Sequence, residues 1–139
     1  MTTDELKHIY RRWVDMWNGD SAAINECVAE DFVYYQEHGQ DVRGPQQLRT
    51  TIEGARAAFT DLTFRTDVGP IAEDTLVAAH NIAEATYVGG LPGATAATGT
   101  KVSMRGMDIL RIKDNKIVEC WHNSNDLSFM LQLGAAKMN

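Results

Sequence analysis

The residues with chemistry to offer crowd into the last third of the chain. "MRGMDILRIKDNKIVECWHNSNDLSF" holds Asp108, Glu119, His122 and Asp126, together with Trp121, Asn123 and Asn125. Carboxylates and an imidazole in apolar surroundings are the material of general acid–base catalysis. A carboxylate partly removed from water gains basicity, and histidine titrates near neutral pH. Amides and a tyrosine hydroxyl can orient a ligand, and a tryptophan can wall a pocket. Each residue also has a plainer role. Asp108 and Glu119 can partner arginines at a sheet edge, a strand histidine is most often structural, and Asp126 before an apolar run is a favoured N-cap.

Which of them meet depends on the strands that carry them. "KVSMRGMDILRIK" and "KIVECWHNS" read as strands joined by the tight turn "KDNK". With Asp114 and Asn115 as the turn, Ile112 opposes Ile117, Leu110 opposes Glu119, Asp108 opposes Trp121 and Gly106 opposes Asn123. Alternation then puts Asp108, Glu119, Trp121, Asn123 and, by continuation, Asn125 on one face. That face grades from aliphatic to acid, amide and aromatic, as a pocket requires. Arg105, Met107, Ile109, Arg111, Val118, Cys120 and His122 fall on the other face. It is apolar enough to predict a homodimer that covers it, with Arg105, Arg111 and His122 toward the rim. Asp126 falls opposite Asn125 unless a bulge at the strand end turns it inward. Tyr34 and Tyr35 point to opposite faces, one toward the core; Tyr35 is taken as the one that offers its hydroxyl to a ligand. Trp13 and Trp17 share a helical stripe, where core packing is the default and a pocket wall the second reading, with Trp17 taken as the ligand contact.

The rest of the chain supplies the frame. Leu6, Ile9, Tyr10, Trp13, Val14 and Trp17 form one apolar helical stripe, with Thr2 and Glu5 at capping-box spacing and "NGD" as its stop. A short helix over "SAAINECVAE" and a strand over "DFVYYQEH" follow. "GPQQLRTTIEGARAAF" reads as a helix starting at Pro45 and presenting Leu48, Ile52, Ala55 and Phe59. From Leu62 the pattern changes to period two, with strands over "LTFRTDVG" and "TLVAAHNIAEATYVG" before the hairpin. "GGLPGATAATG" (89–99) fits neither pattern and is read as a flexible rim. "DLSFMLQLG" is a short apolar helix or turn. Helices first and strands afterwards predict an α+β domain spanning 1–139, its curved antiparallel sheet wrapped around the N-terminal helices.

A chain of 139 residues, 44% hydrophobic and 23% charged, can bury a core without staples. The net charge of -6 argues against nucleic acid or an anionic membrane as partner, since both need basic surface. Cys27 and Cys120 have no C-x-x-C spacing, so thiols of a reducing cytoplasm are expected rather than a disulfide. The start "MTTDELKHIY" is unlike a signal peptide, and no apolar run approaches the ~18 residues of a membrane helix, so a cytoplasmic location is expected. His38, His80 and His122 lack metal-site spacing, and no phosphate-binding glycine loop, G-x-S-x-G or dinucleotide fingerprint occurs. Neither a metal nor a cofactor is implied.

"TGTKVSMRGMDILRIKDNKIVECW" followed by "QLG" resembles the SnoaL-like polyketide cyclases, whose C-terminal half reads T-G-[KR]-x-V, G-x-D-I-x-R, D-G-K-I-x-E-x-W, a carboxylate and Q-L-G. "RAAFTDLTFRTDV" and "EATYVGG" extend the resemblance upstream. Three positions depart from it. Asn125 falls where the family has its aspartate, Tyr87 where it has the histidine of G-T-H-x-G, and the loop before Thr98 is one residue longer. The resemblance implies a cone-like α+β barrel, shared with scytalone dehydratase, ketosteroid isomerase and the nuclear-transport-factor group, assembled as a homodimer or homotetramer. It implies cofactor-free intramolecular aldol ring closure on a polyketide-like small molecule, in antibiotic biosynthesis. On that reading Asp126 takes the proton, with Asp108, Glu119 and His122 as further acid–base candidates. Asn123, Asn125 and a tyrosine hydroxyl (Tyr35) place carbonyl oxygens, while Trp121 and Trp17 hold flat rings. A related hydroxylase, isomerase, dehydratase or epoxide hydrolase in the same pocket is the alternative, and a non-catalytic ligand-binding or dimerisation module is a third.

Overall fold

The computed structural model describes residues 1–36 and 39–138; His38 lies outside them. Helix α1 (Thr3–Trp17) opens with the expected capping box: Glu5 N–H donates to Thr2 Oγ1 at 3.1 Å and Thr2 N–H to Glu5 Oε2 at 3.0 Å. Its stripe of Leu6, Ile9, Tyr10, Trp13 and Met16 is buried. Helix α2 (Ala22–Cys27) leads into strand β1 (Val28–Tyr35), and the short β2 (Val42–Arg43) precedes α3 (Gly44–Ala57). Pro45 stands in the first turn of α3, where its missing N–H has no partner to lose. Long strands follow: β3 (Phe59–Glu73), β4 (Leu76–Tyr87), β5 (Lys101–Lys113) and β6 (Lys116–Ser124), before α4 (Asp126–Gln132). Phe59 begins β3 rather than ending α3.

The strands form one curved, unclosed sheet in the order β2-β1-β6-β5-β4-β3. Neighbours are antiparallel except β1 and β6, which run parallel, with Tyr34 beside Cys120. Helix α1 crosses the concave side against β3 and β4, and α3 packs on β1. Asn18, at the end of α1, grips β3 through both its amide atoms, accepting from Phe64 N–H at 2.7 Å and donating to Phe64 O at 2.9 Å. Arg56 of α3 donates to Trp17 O and Leu62 O, tying both helices to the same strand. The main core lies between α1 and the sheet and contains Cys27 and Cys120 as buried free thiols. A second cluster closes the far end, where Tyr87, Val102 and Leu133 pack with Phe59, Leu91 and Phe129.

Two expectations are corrected here. The 89–99 loop is not a free rim. Thr95 and Ala96 N–H both donate to Leu133 O, and Leu91 N–H donates to the Tyr87 hydroxyl, so the loop is docked on α4. The hairpin register is also different. Asp114 and Asn115 do form the turn, at φ 51 and 63, and Ile112 does oppose Ile117. But the register shifts by one residue between Ile112 and Arg111, leaving Val118 as a bulge. Beyond it Leu110 opposes Cys120, Asp108 opposes His122 and Gly106 opposes Ser124. One extra residue turns every later side chain of β6 to the other face. Among the described residues no helix is long and apolar enough to cross a membrane.

Candidate active site

The bulge decides which groups meet. Asp108 and His122 now share the concave face, under α1. Asp108 is the one buried charged residue among those described, at 9% exposure, and both its oxygens are used. Oδ2 accepts from Trp13 Nε1 at 3.0 Å, and Oδ1 pairs with His122 Nδ1 at 2.6 Å. A carboxylate bound this way holds the imidazole by Nδ1 and leaves Nε2 as the nitrogen free to meet a ligand. Burial alone would pull the His122 pKa down. The hydrogen bond and charge of Asp108, with a further push from Asp126, outweigh it, and the pKa stands above the usual histidine value.

Trp13, Trp17, Tyr34 and Asn81 complete the polar end of a cavity of about 150 Å³ with Asp108 and His122. Tyr34 is buried, and its hydroxyl takes no partner among the described residues. Burial, then the charge of Asp108, push its pKa far up, so it stays a donor. Trp17 Nε1 is buried without a partner among the described residues. Ala55, Phe64 and Met104 line both this cavity and a second of about 250 Å³, walled by Phe59, Leu62, Ala83, Leu91, Val102 and Phe129. The two adjoin as one chamber with a polar end and an apolar end. A larger hollow of about 500 Å³ lies on the outer sheet face, between Arg65, Lys101 and Arg105 and the acids Asp61 and Glu84. It has mixed charges and no buried acid–base pair, so the smaller concave chamber is the better small-molecule site.

Gly106 makes room for the imidazole. A Cβ there would stand 3.3 Å from His122 Cε1 and 2.9 Å from Asn123 O, so the ring rests over the strand where a side chain would otherwise be.

The same shift moves Glu119, Trp121 and Asn123 to the convex face, where Tyr35 of β1 also lies beside Trp121. Glu119 accepts from Arg111 Nε at 2.8 Å and from the Tyr35 hydroxyl at 2.6 Å. Trp121 stacks on Tyr35 and carries the Arg111 guanidinium 5.6 Å from its ring centre. Asn123 is exposed on the same side. Glu119, Trp121, Tyr35 and Asn123 are therefore corrected from pocket residues to an outer cluster. Asn125 continues the ladder instead, its Oδ1 accepting from Arg105 N–H at 2.9 Å and its own N–H donating to Arg105 O. Asp126 is the exposed first residue of α4 and accepts from Ser124 Oγ. Asn125, not Asp126, holds the N-cap position. Ser124 stands two residues beyond His122 on the same face of β6, so the Asp126 carboxylate it bonds lies on the His122 side, and its charge pushes the pKa values of His122 and Tyr34 upward. Trp13 joins Trp17 as cavity wall, Tyr34 rather than Tyr35 is the tyrosine that enters, and Asn81 carries no signal in the sequence that marks it as a site residue. Among the described residues no group of three or more His, Cys, Asp or Glu side chains is placed to hold a metal.

The sequence model of SnoaL-like polyketide cyclases matches residues 7–133. The chain belongs to the SnoaL-like polyketide cyclase family. Solved structures agree on the fold. TsrD from Streptomyces laurentii is 20% identical with TM-score 0.84, over 98% of this chain and 99% of that one. AclR from Streptomyces galilaeus, provisionally named a hydroxylase, is 28% identical with TM-score 0.83, over 99% of this chain and 89% of its own. IdmH from Streptomyces antibioticus, provisionally named a polyketide cyclase, is 24% identical with TM-score 0.79, over 93% and 98%. No curated protein matches.

Proposed function

We propose that this SnoaL-like protein is a cofactor-independent cyclase that closes a ring in a polyketide-like small molecule by an intramolecular aldol reaction. His122 is the base and Asp108 its orienting partner. The observation that carries the reading is the pair of buried Asp108 and half-buried His122 at the polar end of an otherwise apolar chamber. A methylene between carbonyls is acidic enough for an imidazole to deprotonate. His122 Nε2 takes that proton, and the electron pair passes to the neighbouring carbonyl oxygen as an enolate. The enolate carbon then attacks a second carbonyl carbon of the same molecule; the new C–C bond forms, and the C=O π pair becomes an alkoxide. The imidazolium returns its proton to that alkoxide, so neither water nor an oxidant is consumed. Tyr34, protonated and unpartnered, can donate to one of the oxygens, and Trp13 and Trp17 provide flat walls. Asp126, bonded to Ser124, supports the basicity of His122 through its charge.

Two further features support a second reading: AclR at 28% identity carries a hydroxylase name, and a His–Asp pair can equally orient a water or an oxygenated intermediate. The mass of the product separates the two. A synthetic linear aromatic polyketide ester with a β-dicarbonyl arm, incubated with the purified protein, is expected to yield an isomer of unchanged mass bearing a new ring. A product heavier by one oxygen supports hydroxylation, loss of water a dehydratase, and an untouched substrate a binding module. We also propose a homodimer formed through the outer sheet face, though with a different composition from that first expected. Cys120 lies in the core and His122 in the cavity, so the outer apolar surface is built from Met107, Ile109, Trp121, Val68 and Ile71.

A further inference from the structure

Asn81 is the polar residue of the chamber that the acid–base reading leaves unused. Its carboxamide is held at both atoms: Oδ1 accepts from Thr66 Oγ1 at 2.9 Å, and Nδ2 donates to the Tyr10 hydroxyl at 2.6 Å. Tyr10 is fully buried, and its own hydroxyl hydrogen points to Ala79 O at 3.5 Å, so the oxygen is free to accept from Asn81. A primary amide has two N–H groups, and this arrangement engages one. Asn81 lines the cavity, and its cross-strand partner on β5 is Gly106. The His122 ring lies over that glycine, within 3.3 Å of where its Cβ would be, so no side chain separates the imidazole from the amide. A donor fixed in this way beside a base is preorganised for an oxygen that gains charge as the base works.

Resting on the acid–base reading above, we propose that the second Asn81 N–H stabilises the oxygen on which negative charge develops. The substrate then enters with an enolisable carbonyl between Asn81 and His122. Its apolar remainder fills the second chamber between Leu91 and Phe129, which is lined almost wholly by carbon. Proton removal by His122 sends the C–H electron pair onto that carbonyl oxygen, where the Asn81 hydrogen bond strengthens. Asn81 is thereby a catalytic residue, and Thr66 and Tyr10 are positioning residues that act through it.

The test needs no turnover. 4-Nitrophenol mimics the enolate, with an oxygen that carries charge; 4-nitrotoluene has the same shape without it. Calorimetric titration of the wild type is expected to show at least a ~10-fold preference for 4-nitrophenol, and Asn81→Leu to lose that preference while binding 4-nitrotoluene within about 3-fold of wild type. Thr66→Val, which frees the amide to turn, is expected to lose part of the preference, and Thr66→Ser to keep it. With a substrate that cyclises, Asn81→Leu is expected to lower kcat about 100-fold with little change in KM. An Asn81→Leu protein that still prefers 4-nitrophenol overturns the inference, as does an equal loss of both probes. Should Asn81→Leu fail to fold, Thr66→Val with the full wild-type preference overturns it instead. A protein that cyclises nothing yet shows the Asn81-dependent preference sinks only the ring-closure reading.

Discussion

At the scale of single residues, Asp108 serves two donors at once, and that fixes what its neighbour can do. Trp13 N–H and His122 Nδ1 take one carboxylate oxygen each. In Asp108→Asn, Trp13 can only donate, so the amide oxygen must stay with it and the amide NH₂ turns to His122. The imidazole is then forced to accept at Nδ1 and carry its proton on Nε2, which removes the base. Asp108→Asn is expected to reduce kcat by about 100-fold or more while leaving the fold intact, as judged by circular dichroism. The wild-type pH profile follows from the raised His122 pKa. Burial works against the charged form, but the Asp108 bond and charge, with Asp126 behind them, prevail. A base must be neutral, so kcat should fall as pH drops through a value above the ~6.5 of free histidine. Stability has the opposite sign. The stabilising effect of His122 over His122→Gln is complete below about pH 6.5 and is lost as pH rises through the higher folded value, which denaturant titration at several pH values would show.

At the scale of elements, the site depends on a bulge and a glycine. Val118 shifts the β5–β6 register so that His122 faces Asp108, and Gly106 leaves the imidazole somewhere to lie. Gly106→Ala puts a methyl 2.9 Å from a backbone oxygen and 3.3 Å from the ring. It should cost about 1–3 kcal/mol in denaturant unfolding, and reduce kcat beyond what the stability loss explains, because the ring must move. The same pair explains what the sequence revealed. Asp114–Asn115 announces a turn, because these residue types tolerate left-handed φ, and the first facing pair, Ile112 and Ile117, follows from it. Nothing in "VECW" marks a bulge, since no glycine or polar residue singles out Val118. A face assignment by simple alternation was therefore right at the turn and reversed beyond it, which carried Glu119, Trp121 and Asn123 to the wrong side. The helix stripes and caps were legible because local spacing determines them. The meeting of Trp13, Tyr34 and Asn81 in one cavity was not, because three separate elements bring them there, and the parallel β1–β6 pairing has no local signature.

At the scale of the whole molecule, the sheet has one face over the chamber and another with unusual apolar content. Ile71, Ala78, Ile109, Trp121 and Tyr35 follow one another across five strands. Met107 is 50% exposed, Ile109 39%, Val68 65% and Ile71 70%. A patch running across a sheet in this way marks an interaction surface. Sedimentation at micromolar concentration is expected to give a dimer for the wild type and a monomer for Ile109→Glu, whose substitution lies on the face away from the cavity. A monomeric wild type would contradict the proposed assembly. The chamber lies on the opposite side of the sheet from this patch, so its chemistry should survive in the monomeric variant.

The most direct test of the central claim compares two variants on the same cyclisation substrate. His122→Gln can still bond Asp108 through its amide but cannot take a proton, while Asp126→Asn removes only the charge beside Ser124. The account predicts that His122→Gln loses at least about 100-fold in kcat and that Asp126→Asn loses less than about 10-fold. A nearly inactive Asp126→Asn enzyme beside an active His122→Gln enzyme would contradict it and make Asp126 the base.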